Sequence, residues 1–381
     1  MRAAFFVFAL TRTIVFLVLL FTTHLTFEGP PPQDSGNGIQ NIRITVYFHT
    51  IRANVNALAL RGDSGWYIAV AKKGYEKIPF NTDKVHDWAF FPLYPLLLRL
   101  AAAITGGFLL TGMILSNLFL LLALVLLHQT VTAFGHDEAT AYRTIFYLAA
   151  CPTSYFFSLP MTESLFLLLT VGSLWAAKRD SWWLAGAFGA LASATRYNGL
   201  FLLPVLAVLY WQGQRPFKLR ANILALCLLP LGLLAFMLYL FLITGNAFAF
   251  LEIQKAWGVR SGFFLYPLYH HLVYFYEVSV LWNFRLLNFM AAIIALACGF
   301  ALLRRRDWAL ALYTFISVII PLSTFTLESL SRYVMVVFPV FIILAVMGRR
   351  PLFDQTIRAV FLVLLGLLTA AYALSLSIAI I

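Results

Sequence analysis

Long apolar stretches recur along the whole chain, and no other feature constrains the fold as strongly. The first runs from about Ala3 to Thr23. Ten further apolar segments follow at positions 109–131, 140–158, 163–178, 182–195, 199–212, 219–243, 285–303, 308–326, 332–347 and 357–378. About 20 consecutive apolar residues form a helix long enough to cross the hydrocarbon core of a bilayer. The 381 residues are 62% hydrophobic and only 11% charged, which excludes a soluble globular protein. The sequence predicts an all-α polytopic membrane protein with about eleven transmembrane helices in one integral domain, residues 1–381.

Two details of these segments bear on the structure. The first carries Arg12 in its interior, and we expect this helix to be retained and Arg12 to extend toward the cytoplasmic membrane surface. Several segments between residues 178 and 212 are shorter than a full crossing requires, so tilted or broken helices are expected there.

Two polar stretches interrupt the apolar pattern, at residues 24–108 and 244–284. Within the first, residues 89–104 are apolar but carry two prolines and Arg99, which favours a juxtamembrane helix over a span. With the N-terminus inside, both polar stretches become outer loops, and the C-terminus lies outside. This topology places the basic clusters on the cytoplasmic side, as the positive-inside rule requires. Those clusters are Lys178-Arg179, Arg215 with Lys218 and Arg220, Arg304-Arg305-Arg306, and Arg349-Arg350.

Charged side chains at the edges of the spans are candidate functional residues, because inserting a charge into a bilayer costs roughly 2.5–3.5 kcal/mol. On this topology several of them reach the outer face. Asp63 lies in the first outer loop, in the stretch Gly62-Asp63-Ser64-Gly65-Trp66-Tyr67. The other polar candidates lie at outer turns or in the second outer loop and are Glu163, Arg196, Asn198, Gln254, Lys255, Arg260 and Arg332. The aromatic candidates are Trp66, Tyr67, Trp257 and Tyr333.

This mixture of residues suits glycosyl transfer from a lipid phosphate. A carboxylate is needed to take the proton of the acceptor hydroxyl, and cations are needed to hold the leaving phosphate. Asp63 fits the first role, with Glu163 as the next acid to consider. Arg332, Arg196 or Lys255 could fill the second.

Structural roles remain open for each of these residues. Asp63 could cap a helix, with Trp66 and Tyr67 in the aromatic belt of the membrane interface. Glu163 could be a first-turn acid favoured by the helix dipole. Arg196 could cap carbonyl groups at a broken helix, and Arg332 could pair only with Glu328.

Other partners and cofactors have little support in the sequence. The net charge of +12 comes from basic residues scattered at helix ends, which indicates topology and contact with membrane lipids, not nucleic-acid binding. The three cysteines have no metal-ligand spacing, and His270 and His271 are adjacent, so they would point apart on a helix. We expect neither a metal nor another cofactor. A transporter or lipid flippase is the main alternative function, although its inverted repeats are not visible between residues 1–190 and 191–381.

Short motifs follow one another in order along the first two thirds of the chain. They are Gly-Asp-Ser-x-Trp-Tyr at 62–67, Lys73-Gly74-Tyr75, the run from Phe90 to Pro95, Pro152-Thr153, Thr162-Glu163-Ser164, Arg196-Tyr197-Asn198-Gly199, and Gln254 with Trp257. As an ordered set they resemble the PIG-V family, mannosyltransferases that add the second mannose to glycosylphosphatidylinositol (GPI) precursors. The last third is similar to the family in hydropathy and in Ser331-Arg332-Tyr333.

The resemblance implies a fold and a mechanism. PIG-V proteins belong to the GT-C superfamily, whose members use a polyprenyl- or dolichyl-phosphate sugar on the outer face of the membrane. It implies an inverting transfer of mannose to a glycolipid or glycan acceptor, with Asp63 as the base, in the plasma membrane and without a metal. Family members usually have Trp before this acid, where the present chain has Gly62. The chain's size looks more like a prokaryotic homologue than the eukaryotic enzyme, which makes a GPI acceptor doubtful.

Overall fold

The computed structural model describes residues 1–23, 62–213, 220–274, 284–324 and 326–374. All regular structure in these residues is helical, which confirms the all-α prediction. The helices are α1 Arg2–Thr23, α2 Ser64–Lys73, α3 Leu93–Thr105, α4 Phe108–Ala133, α5 Glu138–Ala150, α6 Glu163–Lys178, α7 Trp182–Ser193, α8 Leu202–Gly213, α9 Leu231–Thr244, α10 Ala249–Glu252, α11 Tyr266–Val273, α12 Phe284–Arg304, α13 Trp308–Leu322, α14 Leu330–Val334, α15 Phe338–Met347 and α16 Pro351–Ala373. The predicted loop at residues 24–61, with Arg61, and the basic residues Arg215 and Lys218 lie outside the described ranges.

Five helical stretches within the described residues are long and apolar enough to cross a membrane. They are Arg2–Thr22, Phe108–Ala133, Ala221–Thr244, Arg285–Arg304 and Pro351–Ala373. The other predicted spans correspond to shorter or interrupted helices, so the predicted count of eleven is not confirmed. The segment 140–158, for example, is α5 followed by an irregular turn and a 3₁₀ helix at Ser154–Ser158. The protein is an integral membrane protein in which long helices surround shorter, broken ones.

Helix α6 lies at the centre of this bundle, where it packs against α4 on one side and α7 on the other. Nearly all of its residues are buried, as expected for a helix that is apolar on every face. Helix α4 instead exposes a stripe of leucine and isoleucine side chains, spaced four residues apart, for contact with lipid. The apolar stretch at 89–104, for which a juxtamembrane helix is predicted, contains α3, which packs on α2 and α4.

One expectation about the first helix is wrong. Arg12 does not extend to the membrane surface; it is only 3% exposed and points into the bundle. Its guanidinium donates hydrogen bonds to the Ala149 carbonyl at the end of α5 and to the Ser154 carbonyl in the segment that follows. A snorkelling arginine would place its charge in water. Here the interruption after α5 leaves carbonyl groups that have no partner within their own helix, and these carbonyl groups hold the Arg12 guanidinium inside the protein.

Candidate active site

Asp63 stands where the chain enters α2. The preceding Gly62 has φ of +57°, a left-handed conformation that glycine adopts without strain. The Asp63 carbonyl accepts backbone hydrogen bonds from Trp66 and Tyr67, but its side chain makes no cap bond to the helix. The carboxylate instead accepts a hydrogen bond from Arg332 Nη1 at 2.6 Å. The cap role left open by the sequence is therefore not what this side chain does.

Glu163 opens α6 and is completely buried. Its Oε1 accepts hydrogen bonds from both Arg196 and Arg332, with Nε of Arg332 at 2.6 Å. Its position in the first turn also places it at the positive end of the helix dipole. The helix-dipole role considered from the sequence is therefore correct but incomplete. Oε2 is buried and has no hydrogen-bond partner among the described residues.

The two arginines connect these acids into one cluster. Arg332 bridges Asp63 and Glu163, while Arg196 pairs with Glu163 and donates from Nε to Thr162 Oγ1 at 2.8 Å. Two carboxylates and two guanidiniums give a formal charge of zero, which makes the burial of Glu163 and Arg332 tolerable. Glu328 is exposed and is not the partner of Arg332.

Soft and aromatic side chains complete the surroundings of Arg332. Its guanidinium lies 4.9 Å from the centre of the Phe156 ring, and Nη2 is 3.3 Å from the sulfur of Met161. Sequence analysis missed Phe156, Met161 and Thr162 as site residues. Thr162 and Met161 adjoin Glu163 in the chain and could have been suspected, but nothing in the sequence marks Phe156 as the partner of an arginine 176 positions away.

An aromatic group lies beside Asp63, on the side of α2 that carries Trp66. We call Trp66, Phe90 and Trp257 the aromatic wall. Trp66 stacks on Phe90 with ring centres 5.5 Å apart, and Trp257 meets the two rings edge-on at 5.6 and 6.2 Å. Tyr67 meets Phe90 edge-on at 5.1 Å but is buried, and its hydroxyl lies 3.2 Å from Thr162 Oγ1. Residues from two predicted outer loops thus meet at one place, with Trp257 still 40% exposed.

The backbone behind Phe90 is held by a polar group that sequence analysis did not single out. Asp87 accepts hydrogen bonds from the Glu76 amide at 3.1 and 3.2 Å, and His86 bonds to the Glu76 carboxylate at 2.5 Å. Burial raises the pKa of Asp87 to about 6. Tyr75 donates to the carbonyl oxygen of Phe90 itself. These contacts fix the segment that carries one ring of the aromatic wall.

The remaining candidates lie around the cluster without joining it. Asn198 follows Arg196 in a 3₁₀ helix, and its buried Oδ1 has no partner among the described residues. Tyr333 interacts electrostatically with both guanidiniums. Gln254, Lys255 and Arg260 come from the segment that carries Trp257; Lys255 and Arg260 are exposed, and neither forms an ion pair with a described carboxylate.

Glycine permits the tight turn that carries Arg196 and Asn198. A Cβ atom on Gly199 would lie 2.3 Å from backbone atoms of Ala192 and Ser193, so any larger residue would push the turn away from α7. The close approach lets Arg196 extend to the start of α6. Packing as well as charge therefore explains the residue types in the stretch from Arg196 to Gly199.

Comparison with known proteins gives this cluster a context. Residues 4–293 match the family model described as Mannosyltransferase (PIG-V). GPI alpha-1,6-mannosyltransferase 2 of Rattus norvegicus is 26% identical over 262 residues, which cover 60% of this chain and 52% of that protein. GPI mannosyltransferase 2 of Yarrowia lipolytica is 31% identical over 115 residues, covering 30% of this chain and 32% of that protein. The chain spans about half the length of the rat protein.

The fold has a counterpart among solved structures. The crystal structure of ArnT from Cupriavidus metallidurans bound to undecaprenyl phosphate superposes with a TM-score of 0.52 at 14% sequence identity. The match covers 90% of this chain and 60% of that chain. This likeness concerns the fold alone, which resembles that of the GT-C membrane glycosyltransferases. With a family match over most of its length, the chain belongs to the PIG-V family of mannosyltransferases.

Proposed function

We propose that this protein transfers mannose from a polyprenyl- or dolichyl-phosphate donor to a glycolipid or glycan acceptor, with Asp63 as the general base. Membership in a mannosyltransferase family supports a hexosyltransferase and gives no support to a transporter. The observation that carries the proposal is the unequal exposure of the two acids in the cluster. The Asp63 side chain is 37% exposed, whereas that of Glu163 is completely buried.

This asymmetry assigns different roles to the two acids. A general base must come within hydrogen-bond reach of the hydroxyl it deprotonates. Asp63 binds Arg332 through Oδ2, which leaves Oδ1 for an acceptor approaching from outside the bundle. Glu163 has no such access and acts as the counter-ion of two arginines, so we place it second as a candidate base.

The transfer itself is a single displacement at the anomeric carbon of the sugar. The acceptor hydroxyl gives its proton to Asp63 while its oxygen bonds to that carbon. The bond from the carbon to the donor's phosphate oxygen breaks with its electron pair, and polyprenyl phosphate leaves. Attack from the side opposite the phosphate inverts the configuration.

The phosphate end of the donor needs cations that are not already neutralised. Arg332 and Arg196 are buried and share carboxylates, so their charge is largely satisfied. Lys255 and Arg260 are exposed on the segment that bears Trp257. We assign the donor phosphate to these two residues, with Gln254 beside them, and assign Arg332 to holding the Asp63 carboxylate in place.

The aromatic wall is suited to the acceptor. Flat aromatic faces beside a few directed polar groups are a common arrangement in small-molecule sites, and they bind the apolar faces of sugar rings. Trp66 and Trp257 would hold the acceptor's sugar next to Asp63. Tyr67 and Tyr333 contribute to the same site by packing against the cluster.

The proposal also includes the sequence-based topology. The site would face the outer side of the plasma membrane, with residues 24–108 and 244–284 as the outer loops of one integral domain. The basic ends of α6 and α12 would then face the cytoplasm, as the positive-inside rule requires.

The decisive experiment is transfer by purified protein in detergent or nanodiscs. Wild-type protein is incubated with polyprenyl-phosphate-mannose and a membrane extract, and mannosylated products are identified by mass spectrometry. Asp63→Asn keeps the shape of the side chain but removes its basicity, so turnover should fall by about 10²–10⁴-fold with donor binding little changed. Asp63→Glu should recover little activity, since one methylene misplaces the oxygen.

Two results would contradict the proposal. If wild-type protein makes no glycosylated product with any polyprenyl-phosphate sugar as donor, the transferase assignment fails. If Asp63→Asn retains more than about half of the activity, Asp63 is not the general base, because general-base catalysis usually raises the rate by about 10²–10⁴-fold. Glu163 would then be tested in the same way.

A further inference from the structure

Arg12 is a buried charge that the proposed mechanism does not use. It lies in the middle of α1, in a helix that is otherwise apolar apart from threonines and Arg2 at its first position. Nη1 donates to the Ser154 carbonyl at 2.8 Å and to Ser158 Oγ at 3.1 Å. Nη2 donates to the Ala149 carbonyl at 2.7 Å and to Ser154 Oγ. All its partners among the described residues are carbonyl or hydroxyl oxygens, so no carboxylate explains its presence.

These oxygens belong to a break in the helical bundle. Helix α5 ends at Ala150, residues 151–153 form a turn, and Ser154–Ser158 form a short 3₁₀ helix. The last carbonyl groups of a helix have no partner within it and carry the negative end of the helix dipole. Because a bilayer offers no water to satisfy such groups, another part of the protein must supply donors. Arg12 supplies them with a single cationic side chain.

The same break touches the catalytic cluster on its other side. The Phe156 ring packs against the guanidinium of Arg332. Thr153 Oγ1 donates to the carbonyl of Ser331 at 3.3 Å, one residue before Arg332. Ser164, one residue after Glu163, donates to the carbonyl of Phe157 at 2.7 Å. Residues 153–158 therefore contact Arg12 on one side and, on the other, Arg332 and the residues next to Arg332 and Glu163.

We infer that Arg12 is a positioning residue for this transferase: by holding the 150–158 break, it sets where Arg332 and Glu163 lie and thereby orients Asp63. The inference rests on the proposed function for its catalytic readout. Arg12 contacts neither the segment assigned to the donor phosphate nor the aromatic wall. Loss of its contacts should therefore affect the chemical step more than substrate binding.

The test compares three variants with wild type. Arg12→Met removes all the donors at similar side-chain length, and Arg12→Lys keeps the charge on one nitrogen. Thr22→Val is the matched control, because Thr22 lies on the same helix and, among the described residues, its hydroxyl bonds only to the Val18 carbonyl of that helix. Turnover, donor KM and acceptor KM are measured for each, together with amide hydrogen exchange of residues 151–163 and of α4.

We expect Arg12→Met to lower kcat by about 10–100-fold with each KM changed by less than about threefold, because displacements of about 1 Å cost rates of this order. Exchange should accelerate in residues 151–163 and stay unchanged in α4. Arg12→Lys should recover part of kcat, and Thr22→Val should match wild type. If Arg12→Met does not yield folded protein, Ser158→Ala, which removes one acceptor, should lower kcat by about threefold or more in the same pattern.

Three outcomes would overturn the inference. One is unchanged kcat in folded Arg12→Met or Ser158→Ala protein. Another is a loss of activity that only parallels the loss of folded protein. The third is an equal acceleration of exchange in α4 and in residues 151–163. If wild-type protein transfers no mannose, the proposed function fails instead, and the exchange measurements still decide whether Arg12 holds the break.

Discussion

Replacing Glu163 with glutamine tests whether the buried charge cluster is a single unit. Oε1 of Glu163 accepts hydrogen bonds from two guanidiniums in a fully buried position. Glu163→Gln leaves Arg196 and Arg332 facing each other with only Asp63 to balance them, so the cluster gains a net positive charge. Removing one partner of a buried ion pair costs about 3–5 kcal/mol, because the other charge stays buried without compensation.

This cost should be visible in thermal unfolding. At about 2 °C per kcal/mol, the lower end for domains of 150–250 residues, Tm should fall by roughly 6–10 °C. The assay is thermal unfolding of purified protein in one detergent, followed by intrinsic fluorescence and by size-exclusion chromatography after heating. Transfer activity is expected to fall as well, since Arg332 loses one of the two carboxylates that fix it next to Asp63.

A matched control separates the cluster from a simple helix-dipole effect. Glu138 is the first-turn acid of α5, as Glu163 is of α6, but its side chain is 79% exposed. Glu138→Gln should therefore change stability by no more than the 0.3–1 kcal/mol typical of a charge at an exposed helix end. If Glu163→Gln destabilises the protein no more than Glu138→Gln does, the reasoning about the cluster is refuted.

A double variant gives a second check. Glu163→Gln with Arg196→Gln restores neutrality, because Asp63 and Arg332 then balance each other. Replacing both partners of a buried pair is far less costly than removing one, so the double variant should be more stable than Glu163→Gln alone. Additive losses from the two single changes would show that the two residues do not depend on each other.

Three further predictions follow from other parts of the structure. Burial raises the pKa of Asp87 from its ordinary value of 3.8 to about 6, so the stability that this group contributes is complete below about pH 4 and is lost as the pH rises through about 6. Asp87→Asn should flatten the fall of Tm over this interval, and an unchanged profile would contradict the assignment. Lys255→Ala should raise donor KM by about tenfold or more with little change in Tm, measured with polyprenyl-phosphate-mannose, and an unchanged KM would return the phosphate to Arg332 or Arg196. Membrane-impermeant thiol reagents should label exposed Lys84→Cys and Ser261→Cys in intact cells but not Arg305→Cys, and the reverse pattern would invert the proposed topology.

Much of the helical framework could be predicted from the sequence. The apolar run at 109–131 corresponds to α4 at Phe108–Ala133, and the run at 285–303 corresponds to α12 at Phe284–Arg304. The expectation of short or broken helices between residues 178 and 212 also agrees with α7 and α8. These features were accessible because segment length and hydropathy decide whether a stretch can lie in a bilayer, and both are local properties of the chain.

The motif around Asp63 was equally clear in the sequence, but its partners were not. A pairing of Arg332 with Glu328 was an open alternative from their spacing, yet Arg332 binds Asp63 and Glu163, which are 269 and 169 positions away. No local pattern encodes which helix ends converge. The choice of partner follows from burial, since Glu163 at the centre of the bundle requires two cations whereas Glu328 remains exposed to solvent.

Arg12 shows the same division between sequence and tertiary structure. The sequence alone determined that a charge lies within an apolar helix, and from that fact an extension to the membrane surface was the simplest expectation. Only the packing of α1 against the end of α5 revealed carbonyl groups without helical partners within reach of the side chain. Hydropathy thus determined which segments enter the membrane, whereas the fate of each buried charge was decided by the oxygen atoms that the assembled bundle brought next to it.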